Sequence, residues 1–232
     1  QTRLMYLSEK ISLHVAISSL SKYFSSVDIR FIHKVTYGVI RNRTKLDYYI
    51  SNYYDGNFKK LLIKYKIILR IGLYQLFYMD SVPNYAAVNT TVDLCKKIDS
   101  SKYKLINAIM RKLSSNTNII TEEIKDISIR FSHPEWLINR WLKQWDYNQV
   151  IKLLSYNNLE PKIWFRINRL KTSEEEIYTL LNKKNINFEK SDLIEDFFHS
   201  KSVQDLLSSK MMDNGLISVQ NPSNGLVVKL LN

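Results

Sequence analysis

The stretch LLIKYKIILRIGLYQLFYM, residues 61–79, constrains the fold more than any other. It is the most apolar run in the chain, yet Lys64, Lys66 and Arg70 interrupt it. A run of this length could span a bilayer only by burying those charges, at high cost. It therefore predicts a helix at the centre of a globular domain, and no membrane partner. Only 5 Gly and 4 Pro in 232 residues favour long helices over a turn-rich all-β fold. With 45% hydrophobic and 24% charged residues, the composition is that of a folded chain.

Around that helix the spacing predicts more of the same kind. Leu4, Leu7, Ile11, Val15, Leu20 and Phe24 recur at helical intervals. A second helix starts after Ser26 with Asp28 in its first turn, and Phe31, Ile32, Val35, Val39 and Ile40 form its buried stripe. KLDYYISNYY, Tyr85 to Ile98 and Tyr103 to Leu113 complete an all-α bundle over residues 1–118. The polar stretch from Ser114 to Glu123 has no period and opens a linker placed at 119–131. Beyond it the pattern changes. HPEWLINRWLKQW and Asn148 to Tyr156 read as helices, and IWFRIN as a strand. TSEEEIYTLLNKKN reads as a helix capped by Thr172 or Ser173, and INFEKS, LIEDFFHS and LISVQ as short strands. Residues 132–232 are thus α+β and the chain as a whole is mainly α.

The charge is unevenly placed. Residues 1–120 carry 19 Lys and Arg against 7 Asp and Glu, whereas residues 121–232 carry 15 of each, so the net +12 lies entirely in the first half. Such an imbalance suits a polyanionic partner, nucleic acid first, although a merely soluble basic surface accounts for the charge as well. The cations that gather at predicted helix ends are Arg41, Arg43 and Lys45, then Lys96, Lys97, Lys102, Lys104, Arg111 and Lys112. If those ends converge they form a phosphate-binding face. The structural alternative is that cations at a helix C-terminus complement its dipole.

Catalytic patterns are sparse. The four histidines, His14, His33, His133 and His199, have no metal-ligand spacing, and the single cysteine excludes a disulfide and a cysteine zinc site. No GxSxG, GxGxxG or GxxxxGK[ST] pattern occurs. Cys95 on an amphipathic helix reads as a buried thiol rather than a nucleophile. Glu174–Glu176 read as a dipole-favoured first turn rather than general acids, and His133 as a cap. Trp141 and Trp145, spaced i, i+4, read as core, with base stacking as the alternative.

YGVIRNRTKLD (37–47), LRIGLYQLFYMDSVPNYAAVN (69–89) and LINAIMRKL (105–113) resemble a NusB-like helical domain, in the version fused to bacterial ribosomal RNA cytosine methyltransferases of the RsmB type, also called Sun or Fmu. SHPEWLINRW (132–141), NNLEPKIWFRIN (157–168) and GLISVQNPSNGLVV (215–228) resemble the segments that precede the catalytic domain in that family. The resemblance implies an all-α NusB-like RNA-binding domain followed by a small RNA-recognition-like domain. It implies a parent enzyme that uses S-adenosylmethionine, and no metal, to methylate cytosine C5 in small-subunit ribosomal RNA in the cytoplasm. It also implies that Arg166 and Asn168 of the FRIN strand touch RNA near the target, although outward-facing polar positions of a half-buried strand read the same way. The family's cofactor loop, DxCAAPGGK, and its two catalytic cysteines have no counterpart in this chain. The expectation is therefore a recruiting region that ends just before the cofactor site and is inactive alone, with no catalytic residue carried over. The family's SVQDE reads SVQNP at 218–222, so Asn221 and Pro222 stand where an acidic pair is usual. A free-standing antitermination factor that works with a protein partner is the alternative. A partner protein is compatible with the first reading and not required by it.

Overall fold

The computed structural model describes residues 12–116 and 124–231. The predicted stripe positions Leu4, Leu7 and Ile11, and residues 117–123 of the predicted linker region, lie outside the described residues. Two compact units follow one another, one through Asn158 and one from Leu159.

The first unit is helical: α1 Leu13–Ser18, α2 Ser26–Arg41, α3 Arg43–Tyr53, α4 Ile63–Tyr78, α5 Asn84–Ile98, α6 Tyr103–Ser115, α7 Ile127–Arg130, α8 Glu135–Leu142 and α9 Tyr147–Asn157. Helix α4 is central as the sequence requires, with Ile68, Leu69 and Leu73 essentially inaccessible. Its three interrupting charges each find a partner. The Arg70 guanidinium forks onto both carboxylate oxygens of Asp47 on α3, at 2.6 Å each. Lys64 donates to Asp99 at 2.6 Å, and Lys66 to the Lys59 carbonyl at 3.1 Å. Close helix contact depends on Gly72, where a Cβ would lie 2.3 Å from Thr91 Oγ1 of α5. At Gly38 of α2 a Cβ would fall inside the Tyr74 ring.

Helix α2 begins at a capping box in which Ser25 and Asp28 each satisfy the other's backbone N–H. Its buried face is Val35, Gly38 and Val39. Phe31 and Ile40 of the expected stripe are 44% and 52% exposed, because Gly38, not a larger residue, centres the contact with α4. Helix α7 lies inside the expected linker and is started by Asp126, whose carboxylate accepts from the N–H groups of Ser128 and Ile129. It joins α8 and α9 around Ile138, Val150 and Leu154, with Trp141 partly buried beside them. Trp145 is 44% exposed and so does not share that core. It follows the end of α8, so the i, i+4 spacing from Trp141 runs past the helix.

The second unit runs β1 Trp164–Ile167, α10 Glu174–Lys183, β2 Glu189–Lys190, β3 Phe197–His199, α11 Val203–Ser208, β4 Ile217–Val219 and α12 Pro222–Leu231. The four strands are antiparallel in the order β2-β3-β1-β4. Alternation along β1 puts Phe165 and Ile167 on the face that packs with Ile177 and Leu181 of α10 and Leu206 of α11. Trp164 and Arg166 point to the other face. There Gly225 of α12 lies so near Phe197 that a Cβ would stand 2.7 Å from its ring. The triple glutamate is the first turn of α10, where Ser173 and Glu176 form a capping box, as the sequence predicts.

Candidate nucleic-acid interface

The α5–α6 corner collects four of the expected cations. Lys96 and Lys97 occupy the last turn of α5, Lys102 the short 3-10 turn Ser100–Lys102, and Lys104 the first turn of α6. All four are exposed. Lys96 is paired with Asp93 at 3.0 Å, whereas among the described residues Lys97, Lys102 and Lys104 form no ion pair. The corner is fixed by Asp99. Its carboxylate accepts from Lys64 at 2.6 Å, Tyr65 Oη at 2.5 Å, and the Ser101 hydroxyl and N–H at 2.7 and 3.0 Å. These donors, Lys64 foremost, hold the Asp99 carboxyl well below the usual carboxylate range. The buried Cys95 thiol donates to the Asp99 carbonyl at 3.6 Å, and burial pushes its pKa up. That is a structural thiol and not an activated one.

Between α5 and α6 beside this corner is a groove of about 370 Å³, lined by Asn89, Val92, Asp93, Lys96, Tyr103 and Asn107. Arg111 donates to Asn107 Oδ1 at 3.2 Å, which ties this expected site residue to the groove. Lys112 is instead engaged by Asp55 at 3.0 Å. The sequence reading missed Asn89, Tyr103 and Asn107. The interval of three and four between Lys104, Asn107 and Arg111 is the signal that places them on one stripe of α6.

Arg41, Arg43 and Lys45 surround the α2–α3 junction, but not as helix-end logic suggests. Arg41 closes α2, where the dipole favours a cation, while Arg43 and Lys45 open α3, where it opposes one. No acidic residue stands in the first turn of α3. The Lys45 N–H is capped from a distance by Ser132 Oγ at 2.9 Å. That contact brings Lys45 near Arg130, and burial first, then the Arg130 charge, lowers the Lys45 pKa. His133 does not cap a helix. Its Nδ1 lies 2.7 Å from the Phe131 carbonyl and braces the same loop.

In the second unit Arg166 is exposed, 3.5 Å from Gln220 Oε1 and 6.0 Å from the Phe197 ring centroid. Asn168 is a turn residue. Its amide donates to the Gly215 carbonyl at 2.9 Å and accepts from the Leu170 N–H at 3.1 Å, beside a glycine held at φ +68°. On the same face as Arg166, Lys162 Nζ and Glu189 Oε2 both lie against His199 Nε2, at 2.8 and 2.7 Å, with Trp164 edge-on to the imidazole. His199, and Lys162 after it, lower the Glu189 pKa.

S-adenosylmethionine finds no cradle among the described residues. The sheet is antiparallel, and at Gly38, Gly72 and Gly225 a Cβ would meet a packed side chain within 2.7 Å, so these glycines serve close packing. Among the described residues no group of three His, Cys, Asp or Glu is placed to hold a metal ion, and no helix is long and apolar enough to cross a membrane.

Comparison with known proteins matches this architecture part by part. Residues 6–115 match the NusB family, and residues 133–200 match the RsmF/B-like methyltransferase ferredoxin-like domain. The chain is similar to the probable ribosomal RNA small subunit methyltransferase B of Synechocystis sp., 34% identical over 70% of this chain and 37% of that protein. It is also similar to its namesakes in Bacillus subtilis, 27% identical over 85% of this chain and 45% of that protein, and in Photorhabdus laumondii, 29% identical over 97% of this chain and 52% of that protein. The chain thus spans about half or less of the curated relatives it matches. Among solved structures, the crystal structure of PH0851 has the same fold, with a TM-score of 0.53 at 17% identity, covering 94% of this chain and 51% of that one. The chain thus joins a NusB-family domain to a ferredoxin-like domain of the RsmF/B methyltransferase type, and over most of its length its homologues are named ribosomal RNA small subunit methyltransferase B.

Proposed function

We propose that this chain is the RNA-binding, substrate-recruiting part of an S-adenosylmethionine-dependent methyltransferase that modifies cytosine C5 in small-subunit ribosomal RNA in the cytoplasm. Residues 1–118 hold the RNA, and residues 132–232 form the approach to a catalytic core that this chain does not contain, so the chain alone binds but does not methylate. The observation that carries this reading is the fixed corner of unpaired lysines at the α5–α6 turn, on a NusB-family domain joined to a methyltransferase-type domain. The relatives' names support methyl transfer and a small-subunit ribosomal RNA substrate, and cytosine C5 rests on the sequence resemblance. The two cations at the start of α3 add a second basic feature, where an anion would relieve an opposed dipole. Arg166 belongs to the same reading as an exposed contact on the second unit. A free-standing antitermination factor explains the helical domain but leaves the ferredoxin-like one without a purpose.

The test is equilibrium binding to a small-subunit rRNA fragment across a range of salt concentrations, with S-adenosylmethionine binding measured alongside. Binding should weaken linearly in log–log form, and the triple variant Arg41→Gln/Arg43→Gln/Lys45→Gln should flatten the slope by roughly 2–3. S-adenosylmethionine should not bind. RNA affinity unchanged in the variant would remove the α2–α3 junction from the interface. Salt-independent binding would replace RNA recruitment with a protein-platform role.

A further inference from the structure

We infer that the groove between α5 and α6 receives one unpaired nucleotide of single-stranded RNA, its base in the groove and its phosphates on the lysine rim. This rests on the RNA-binding reading above and names the form of RNA and the residues that read it.

The lining is what separates this groove from a generic basic patch. Its volume of about 370 Å³ lies at the lower end of small-ligand sites. The Asn89 amide makes no hydrogen bond among the described residues, and Asn107 uses only its oxygen, which accepts from Arg111 at 3.2 Å. Two amide groups are therefore open to a ligand, and amides match the donor and acceptor edges of a base. Tyr103 supplies an aromatic wall, with Lys96 Nζ 5.6 Å from its ring centroid. Asp93 decides which part of a nucleotide enters. A carboxylate in the wall repels a phosphate but accepts from the exocyclic amine of a base. Lys96, held by Asp93 at 3.0 Å, keeps that carboxylate in place.

The phosphates then fall outside the groove, where Lys97, Lys102 and Lys104 stand exposed and unpaired among the described residues. Helix α6 connects rim and groove, since Lys104, Asn107 and Arg111 share one stripe. A duplex cannot use such a site, because its base edges are stacked and paired, whereas an unpaired base can be splayed out. The Asp99 network holds the corner in one conformation before RNA arrives, which lowers the ordering cost of binding.

The experiment uses the whole chain and a fluorescein-labelled RNA of about 12 nucleotides without self-complementarity, alone and annealed to its complement. Asn89→Ala/Asn107→Ala should lower affinity for the single strand about tenfold, with duplex affinity and the salt slope unchanged. Lys102→Ala/Lys104→Ala should weaken both forms and flatten the slope by roughly 1–2. Asn89→Ala alone, at an exposed site without hydrogen bonds, repeats the test with minimal risk to folding. Wild-type affinity for the single strand in the asparagine variants overturns the nucleotide site while leaving RNA binding intact. Equal weakening of single strand and duplex also overturns it. Binding of neither RNA by the wild type overturns this inference together with the reading beneath it.

Discussion

Asp47 and Arg70 show how a single residue pair reconciles this sequence with its core. Arg70 is 5% exposed in the middle of the most apolar helix, and its guanidinium meets the Asp47 carboxylate fork to fork, at 2.6 Å for each bond. Such a pair adds little net stability, because desolvation offsets most of the attraction, but removing one member strands a buried charge. Asp47→Ala should destabilise the first unit by about 3–5 kcal/mol in denaturant unfolding. The conservative replacement of Arg70 by Met together with Asp47→Leu should recover most of that loss, which separates the buried charge from packing. At His199 the chemistry is exclusive rather than additive. One ring nitrogen faces both an ammonium and a carboxylate, so at any moment it accepts from Lys162 or donates to Glu189.

At the scale of elements, the α5–α6 corner is held by one carboxylate with four donors, and its stability follows that carboxylate's titration. The folded-state pKa of Asp99 is depressed from its ordinary 3.8, so its stabilisation is complete above that value and is lost as pH falls below it. Acid titration followed by amide exchange at residues 99–104 should show the corner loosening below about pH 4, and Asp99→Asn should remove that pH dependence while weakening the corner at neutral pH. How much of this was legible varied with the element. Helix α4, the α10 capping box and strand β1 follow directly from apolar spacing, cap residues and alternation. The start of α3 did not: the spacing begins that helix at Lys45 and leaves Arg43 at the end of the preceding one, because Asn42 interrupts the pattern by one residue only and carries no Gly or Pro signal. Helix α7 was hidden in the expected linker because its four residues are too few for a period. The exposure of Phe31 and Ile40 depends on Gly38 meeting Tyr74 from another helix, and no local pattern contains that contact. The groove needed two helices side by side, so Asn89 and Tyr103 carried no signal singly.

For the whole molecule, the concentration of the net +12 within residues 1–120 is a kinetic statement as much as a binding one. A one-sided field steers a polyanion to the surface before any contact is made. Stopped-flow association with the single-stranded RNA should slow by an order of magnitude or so between low and physiological ionic strength, while dissociation changes less. The separation of charge between the two halves was fully legible, since it needs only counting. Which cations remain unpaired was not, since Lys112 and Lys96 are answered by Asp55 and Asp93 only in the folded chain. The small sheet has a consequence of another kind. It is open, with β2 and β4 at its two edges, yet β2 is only the charged pair Glu189–Lys190 and β4 only three residues, ended by Asn221 and Pro222. Strands that short, one of them wholly charged, give a neighbouring chain almost no ladder to extend. The protein can therefore keep an uncapped sheet at high concentration without templating its own aggregation.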